Sequence, residues 1–170
     1  MTNETEFILS HWKDGVPDDR IAHLIKDATQ ALVRALQTKL KEHDVPFSQW
    51  SILRTLWAKD GLSQRELSAL AGVMESTTAN VVRQMELKGY VSRRHLGENK
   101  RKRYVFLTNE GKKLESRLVP LAEEVNKIAR ENITQKEIDS LRNSLLTMIE
   151  NLGSKEKIPV KSQNNTTKER

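Results

Sequence analysis

The chain has 170 residues, of which 36% are hydrophobic and 31% charged, with a net charge of +6 and no cysteine. That apolar share supports only a lean core in a single copy and more in a dimer, and the basic balance points to an anionic partner. Lack of cysteine excludes disulfides, thiolate metal sites and cysteine redox sensing, and fits a cytoplasmic protein; no run of eighteen apolar residues could span a bilayer, and Met1 to Glu6 lack the basic and apolar regions of a signal peptide.

Residues 1–16 read as a leader carrying Phe7, Ile8 and Trp12. The first long helix is predicted from Pro17, which suits a first turn, with Asp18 and Asp19 favourable at the positive end of its dipole. Ile21, Leu24, Ile25, Ala28, Leu32, Ala35 and Leu36 form one apolar face running to about Glu42. Pro46 breaks the chain. Ser48 is the expected cap of the next helix, which carries Trp50, Ile52, Leu53 and Leu56 and ends at the turn formers Asp60 and Gly61.

Ser63-Gln64-Arg65-Glu66 has the form of a capping box and opens a short helix with Leu67, Leu70 and Ala71 that stops at Gly72. Another helix follows within a few residues and ends at Gly89, a glycine placed just past a helix C-terminus. The period then changes. Tyr90 to His95 and Arg103 to Leu107 read as two strands, with turn formers Gly97 to Lys100 between them. Thr108 caps a long helix whose Leu114, Leu118, Leu121, Val125 and Ile128 make a narrow stripe, like a coiled-coil seam. Thr134 to Glu137 is a second capping box, and the last helix, with Ile138, Leu141, Leu145, Ile149 and Leu152, is predicted to end at Gly153. Residues 154–170 are polar and basic and are expected to be disordered. The predicted fold class is therefore mainly α with a small β-hairpin.

Charge is not spread evenly over these elements. Ser63 to Arg103 holds nine Lys/Arg against four acids, a surplus of five, and the stretch from 154 onward holds five against two. Positive charge focused on one unit neutralises phosphates. That unit is a short helix, a tight turn and a second helix, followed by a hairpin: a helix-turn-helix, whose second helix enters the major groove, with a wing. On the second helix Thr78, Val81, Val82 and Met85 share the face expected to pack inward, leaving Ser76, Thr77, Asn80 and Arg83 outside, with hydroxyl, amide and guanidinium groups suited to base edges and phosphates. Ser63 and Gln64 at the head of the first helix, Arg94 on the hairpin, and Lys100, Arg101 and Lys102 at its tip complete the candidate DNA-binding set. Long cations on a thin hairpin reach an adjacent minor groove.

Phe47 to Arg54, Gly61 to Leu67, Leu87 to Arg94 and Leu107 to Gly111 resemble the MarR family of winged helix-turn-helix regulators. The resemblance covers about residues 20–150. It implies a winged domain at 47–108, flanked by an N-terminal dimerisation helix at 17–46 and C-terminal dimerisation helices at 109–153. It further implies a homodimer on a pseudo-palindromic operator, and in many members release of DNA by a small, often aromatic, carboxylate or related effector. The family's wing motif is Asp-x-Arg. Here Asn99-Lys100-Arg101 keeps the arginine and replaces the acid by an amide, which removes the ion pair that would orient Arg101. The effector pocket that the resemblance implies lies between the dimer helices and the winged domain, which makes Trp12, His23, Trp50 and Arg54 its candidates.

The function expected is a repressor released by a small effector, an aromatic carboxylate or an acyl thioester. A ligand-independent activator or anti-silencer, and an interaction adaptor that has lost DNA binding, are the alternatives. Catalysis is not expected: His11, His23, His43 and His95 are scattered, and no phosphate loop or nucleophile motif is present. No cofactor and no metal are expected.

Overall fold

The computed structural model describes residues 3–13, 20–95 and 102–155. The chain divides after Ala129 into two compact units. The first holds α1 (Asn3–Lys13), α2 (Ile21–Lys41), α3 (Phe47–Ala58), β1 (Leu62–Ser63), α4 (Gln64–Ala71), α5 (Glu75–Leu87), β2 (Val91–His95), β3 (Arg103–Leu107) and α6 (Asn109–Ala129); the second holds α7 (Gln135–Lys155).

The core of the first unit follows the apolar periodicity. Leu36 and Leu40 of α2, Trp50, Ile52, Leu53 and Leu56 of α3, Leu67 of α4, Val81, Val82 and Met85 of α5, and Leu114, Leu118 and Val125 of α6 are all buried in one cluster. This corrects the expected seam. Leu114, Leu118 and Val125 are at most 5% exposed within the single chain, where α6 packs on α2 and α3, so most of that stripe is already covered. Ile128 alone of the stripe is half exposed. Lys39 of α2 and Glu124 of α6 add an ion pair at 2.8 Å over the same contact.

The two hairpin strands pair as read, the first beginning at Val91 and not Tyr90, and a third strand joins them; the turn expected at Gly97 to Lys100 lies outside the described residues. β3 lies between β1 and β2, antiparallel to both, with Leu62 opposite Val105 and Val91 opposite Leu107. β1 has two residues, too few to show a period in sequence. Buried Leu62, Val91, Val105 and Leu107 mark the face turned to the helices.

Several ends are tied by the anticipated devices. Ser63 Oγ accepts the Glu66 backbone N–H while the Glu66 carboxylate accepts the Ser63 N–H at 2.9 Å, a complete capping box. Gly72 takes a left-handed φ of +65°, and Gly89 one of +73°. Thr108 Oγ1 accepts the Gly111 N–H at the head of α6, and Thr134 and Glu137 repeat the capping box at the head of α7.

Other ends differ from the expectation. Ser48 does not cap α3. Pro46 takes the cap position in extended conformation; its ring has no acceptor, so no side chain caps the helix there, and its fixed φ sets the angle at which the chain joins the helix. The α-helical stretch of α2 starts at Ile21; Pro17, Asp18 and Asp19 lie outside the described residues. α1 gives the leader a helix of eleven residues. α7 runs through Gly153 to Lys155, and Gly153 has no positive φ. The rest of the basic tail lies outside the described residues.

Candidate nucleic-acid interface and effector groove

α5 is held by its inner face and presents its outer one. Thr78, Val81, Val82 and Met85 are buried, and Thr78 Oγ1 donates to Met74 O at 3.1 Å, so this polar residue is satisfied inside the core. Ser76, Thr77, Asn80, Arg83 and Gln84 are exposed. Arg83 Nη2 donates to Asn80 Oδ1 at 3.3 Å, which aligns amide and guanidinium side by side. The four outer residues read from the sequence thus share one solvent-facing surface, and Gln84 extends it.

The remaining candidates divide. Ser63 has its hydroxyl engaged twice with Glu66, and this hydrogen bond holds the Glu66 carboxyl below the usual carboxylate range. Gln64 is half-buried in the first turn of α4. Arg94 is exposed on β2 with its guanidinium 5.4 Å from the Phe106 ring centre, a cation–π contact that keeps it against the sheet. Lys102 is exposed, and its carbonyl pairs with His95 Nδ1 across the hairpin at 3.1 Å. Asn99, Lys100 and Arg101 lie outside the described residues.

Not every cation of the basic unit is left for DNA. Arg93 donates from Nε to Glu86 Oε2 at 2.9 Å and from its backbone to Oε1 at 3.2 Å, joining β2 to α5. Lys88 donates to Asp44 Oδ2 and to Asp44 O, both at 2.7 Å. These two charges are engaged in structure. Arg65, Arg83, Arg94, Lys102 and Arg103 are the other exposed cations of this unit among the described residues.

A second site lies between α2, α3 and α6. A groove of about 290 Å³ is lined by Leu32, Trp50, Arg54, Val125 and Asn126 among others. Trp50, itself 5% exposed, meets Trp57 edge-on with ring centres 5.6 Å apart. Arg54 stands exposed at the groove and forms no ion pair among the described residues. Trp50 and Arg54 therefore meet at one groove. Trp12 and His23 do not line it: Trp12 Nε1 donates to Asp27 of α2 at 3.1 Å, and His23 is exposed on the same helix. Sequence reading missed Thr29, Ala122 and Asn126, which reach the groove only through the packing of α2 and α6.

Residues 46–102 match the model of the MarR family. An HTH-type transcriptional regulator of Bacillus subtilis, YwoH, is 35% identical over 95 residues, which cover 54% of this chain and 68% of YwoH. The chain belongs to the MarR family. A MarR transcriptional regulator from Methanosarcina mazei has the same fold, with a TM-score of 0.72 at 27% identity over 84% of this chain and 96% of that one. Bordetella bronchiseptica BpsR, described in a study of how 6-hydroxynicotinic acid regulates its DNA binding, shares the fold with a TM-score of 0.70 at 21% identity, over 76% of this chain and 98% of BpsR. The chain spans between 52% and 65% of the length of the first curated relatives it matches. Within this MarR-family frame α4 and α5 form the helix-turn-helix, and β1 to β3 carry the wing.

Proposed function

We propose that this protein binds an operator as a homodimer and acts as a repressor that a small aromatic carboxylate or related ligand releases. The observation that carries the DNA reading is the outer face of α5: Ser76, Thr77, Asn80 and Arg83 exposed on a helix whose opposite face is fully buried. Such a helix can lie along a major groove without losing its packing. Arg94 and Lys102 on the adjoining hairpin add phosphate neutralisation. The exposed cations and the basic hairpin favour this over an adaptor that has lost DNA binding.

Two further features support the finer parts. Leu141, Ile149 and Leu152 lie on one face of α7 and are each more than half exposed in a single chain, which suits burial against a second copy. The groove at Trp50 and Arg54 pairs an aromatic wall with a cation, the chemistry that holds a ring bearing a carboxylate. The ligand-regulated DNA binding of BpsR, a protein of the same fold, is consistent with a site of this kind.

Footprinting on a duplex selected from a random library, repeated over a salt series, tests the reading. Two protected half-sites are expected, centred about 10 bp apart or a multiple of that, with affinity falling linearly in log–log against salt. An aromatic carboxylate should release the wild type and leave an Arg54→Ala complex in place. A footprint without two-fold symmetry, or a flat salt response, sinks the proposal.

A further inference from the structure

Met74 is an apolar side chain held in water. It is 76% exposed, at the extended residue that begins α5, with φ −56° and ψ 143°. It does not belong to the core, whose α5 face is filled by Thr78, Val81, Val82 and Met85. Nor does its position suit a phosphate. Glu75 follows it and is exposed, and a carboxylate there would repel the DNA backbone. Ser76 and Thr77, both exposed, come next on the same turn. This is the end of a recognition helix that reaches base edges, and the one apolar group a major groove offers there is the C5-methyl of thymine.

We propose that Met74 reads a thymine C5-methyl beside the base edges met by Ser76 and Thr77, and so sets a preference for thymine over cytosine at that position. The inference rests on the DNA-binding reading above and names a determinant of its specificity. Methionine is unbranched and carries a polarisable thioether, so it adapts its shape to a flat apolar contact. Leu87 provides an internal control. It is 84% exposed but stands at the other end of α5, about 20 Å along the helix axis.

The test uses the full-length chain and a duplex it selects from a random library. Each thymine is replaced in turn by deoxyuridine, which removes one methyl and nothing else, and affinity is measured by fluorescence anisotropy at one salt concentration. The wild type should lose about fourfold at one thymine position per recognition helix, the worth of one buried methyl. Met74→Ala should bind the thymine and deoxyuridine duplexes equally, and Leu87→Ala should keep the fourfold loss. Both residues are exposed, so neither change threatens the fold, and circular dichroism verifies this. The inference is overturned if the wild type ignores every methyl, or if Met74→Ala still responds to one, as it would were Thr77 the reader. Salt-dependent binding that ignores methyls removes this inference alone; recovery of no duplex at all removes the DNA-binding reading with it.

Discussion

Gly111 shows how one residue can hold several elements in register. A Cβ built there would lie 2.1 Å from Tyr90 O and 3.1 Å from Leu107 Cδ2, so only glycine lets the first turn of α6 approach the start of β2. Its carbonyl accepts the Trp57 indole N–H at 3.0 Å, and its N–H donates to Thr108 Oγ1 at 3.1 Å. The constraint is space, since Gly111 is not among the residues of positive φ. Gly111→Ala must push backbone against backbone and is expected to cost at least about 1–3 kcal/mol, read as a lower urea midpoint with an unchanged slope. A variant as stable as the wild type would refute this close approach. Gly61 has a different reason for being glycine, a φ of +72° at the turn between α3 and β1.

At the level of elements, the joint between α5 and the wing depends on Glu86 and Arg93. Hydrogen bonding from the Arg93 side chain holds the Glu86 carboxyl below the usual carboxylate range. A carboxyl depressed in the folded state stabilises the protein above its unfolded value, and that contribution is lost as pH falls through the folded one. Glu86→Gln should therefore be less stable than the wild type at pH 7, and the gap should close as pH drops below about 4.3. The Glu86 side chain is 36% exposed, which limits the effect to about 1 kcal/mol. Thermal melts of both proteins across pH measure it; a gap independent of pH would show that the ion pair is not its source. α5 carries the proposed base-reading residues, so the same variant is expected to loosen wing placement and weaken DNA binding more than it weakens the fold.

At the level of the whole molecule, apolar surface remains that one chain leaves uncovered. Phe7 of α1, Ile21 and Leu24 of α2, and Leu141, Ile149 and Leu152 of α7 are between 42% and 73% exposed. A second copy is the occupant proposed for the α7 face. Replacing Ile149 and Leu152 together by aspartate should shift sedimentation from dimer to monomer while the near-ultraviolet signal of Trp50 and Trp57 is retained. Operator affinity should then fall by a factor on the order of 10² or more, the loss of bivalency. A double variant that sediments like the wild type would place the dimer elsewhere. No helix among the described residues is long and apolar enough to cross a membrane, and no group of three or more His, Asp or Glu among them is arranged to hold a metal.

Sequence alone determined what local chemistry controls. The capping boxes at Ser63 and Thr134, the glycine ends at Gly72 and Gly89, the two hairpin strands, and the inner and outer faces of α5 were all legible, because each depends on a period or on neighbours within four residues. The helical cap at Ser48 was misread because Pro46 had already fixed the direction in which the chain joins α3. Tertiary structure decided the rest. It turned the Leu114–Val125 stripe inward onto α2 and α3, since an apolar stripe does not specify whether its partner is in the same chain. It closed a groove over Trp50 and Arg54 of α3 with Leu32 of α2 and Asn126 of α6 while leaving Trp12 bonded to Asp27, and it engaged Lys88 and Arg93 in structural contacts. Charge can be counted from residues, but whether a cation reaches a phosphate depends on the acid that packing places beside it.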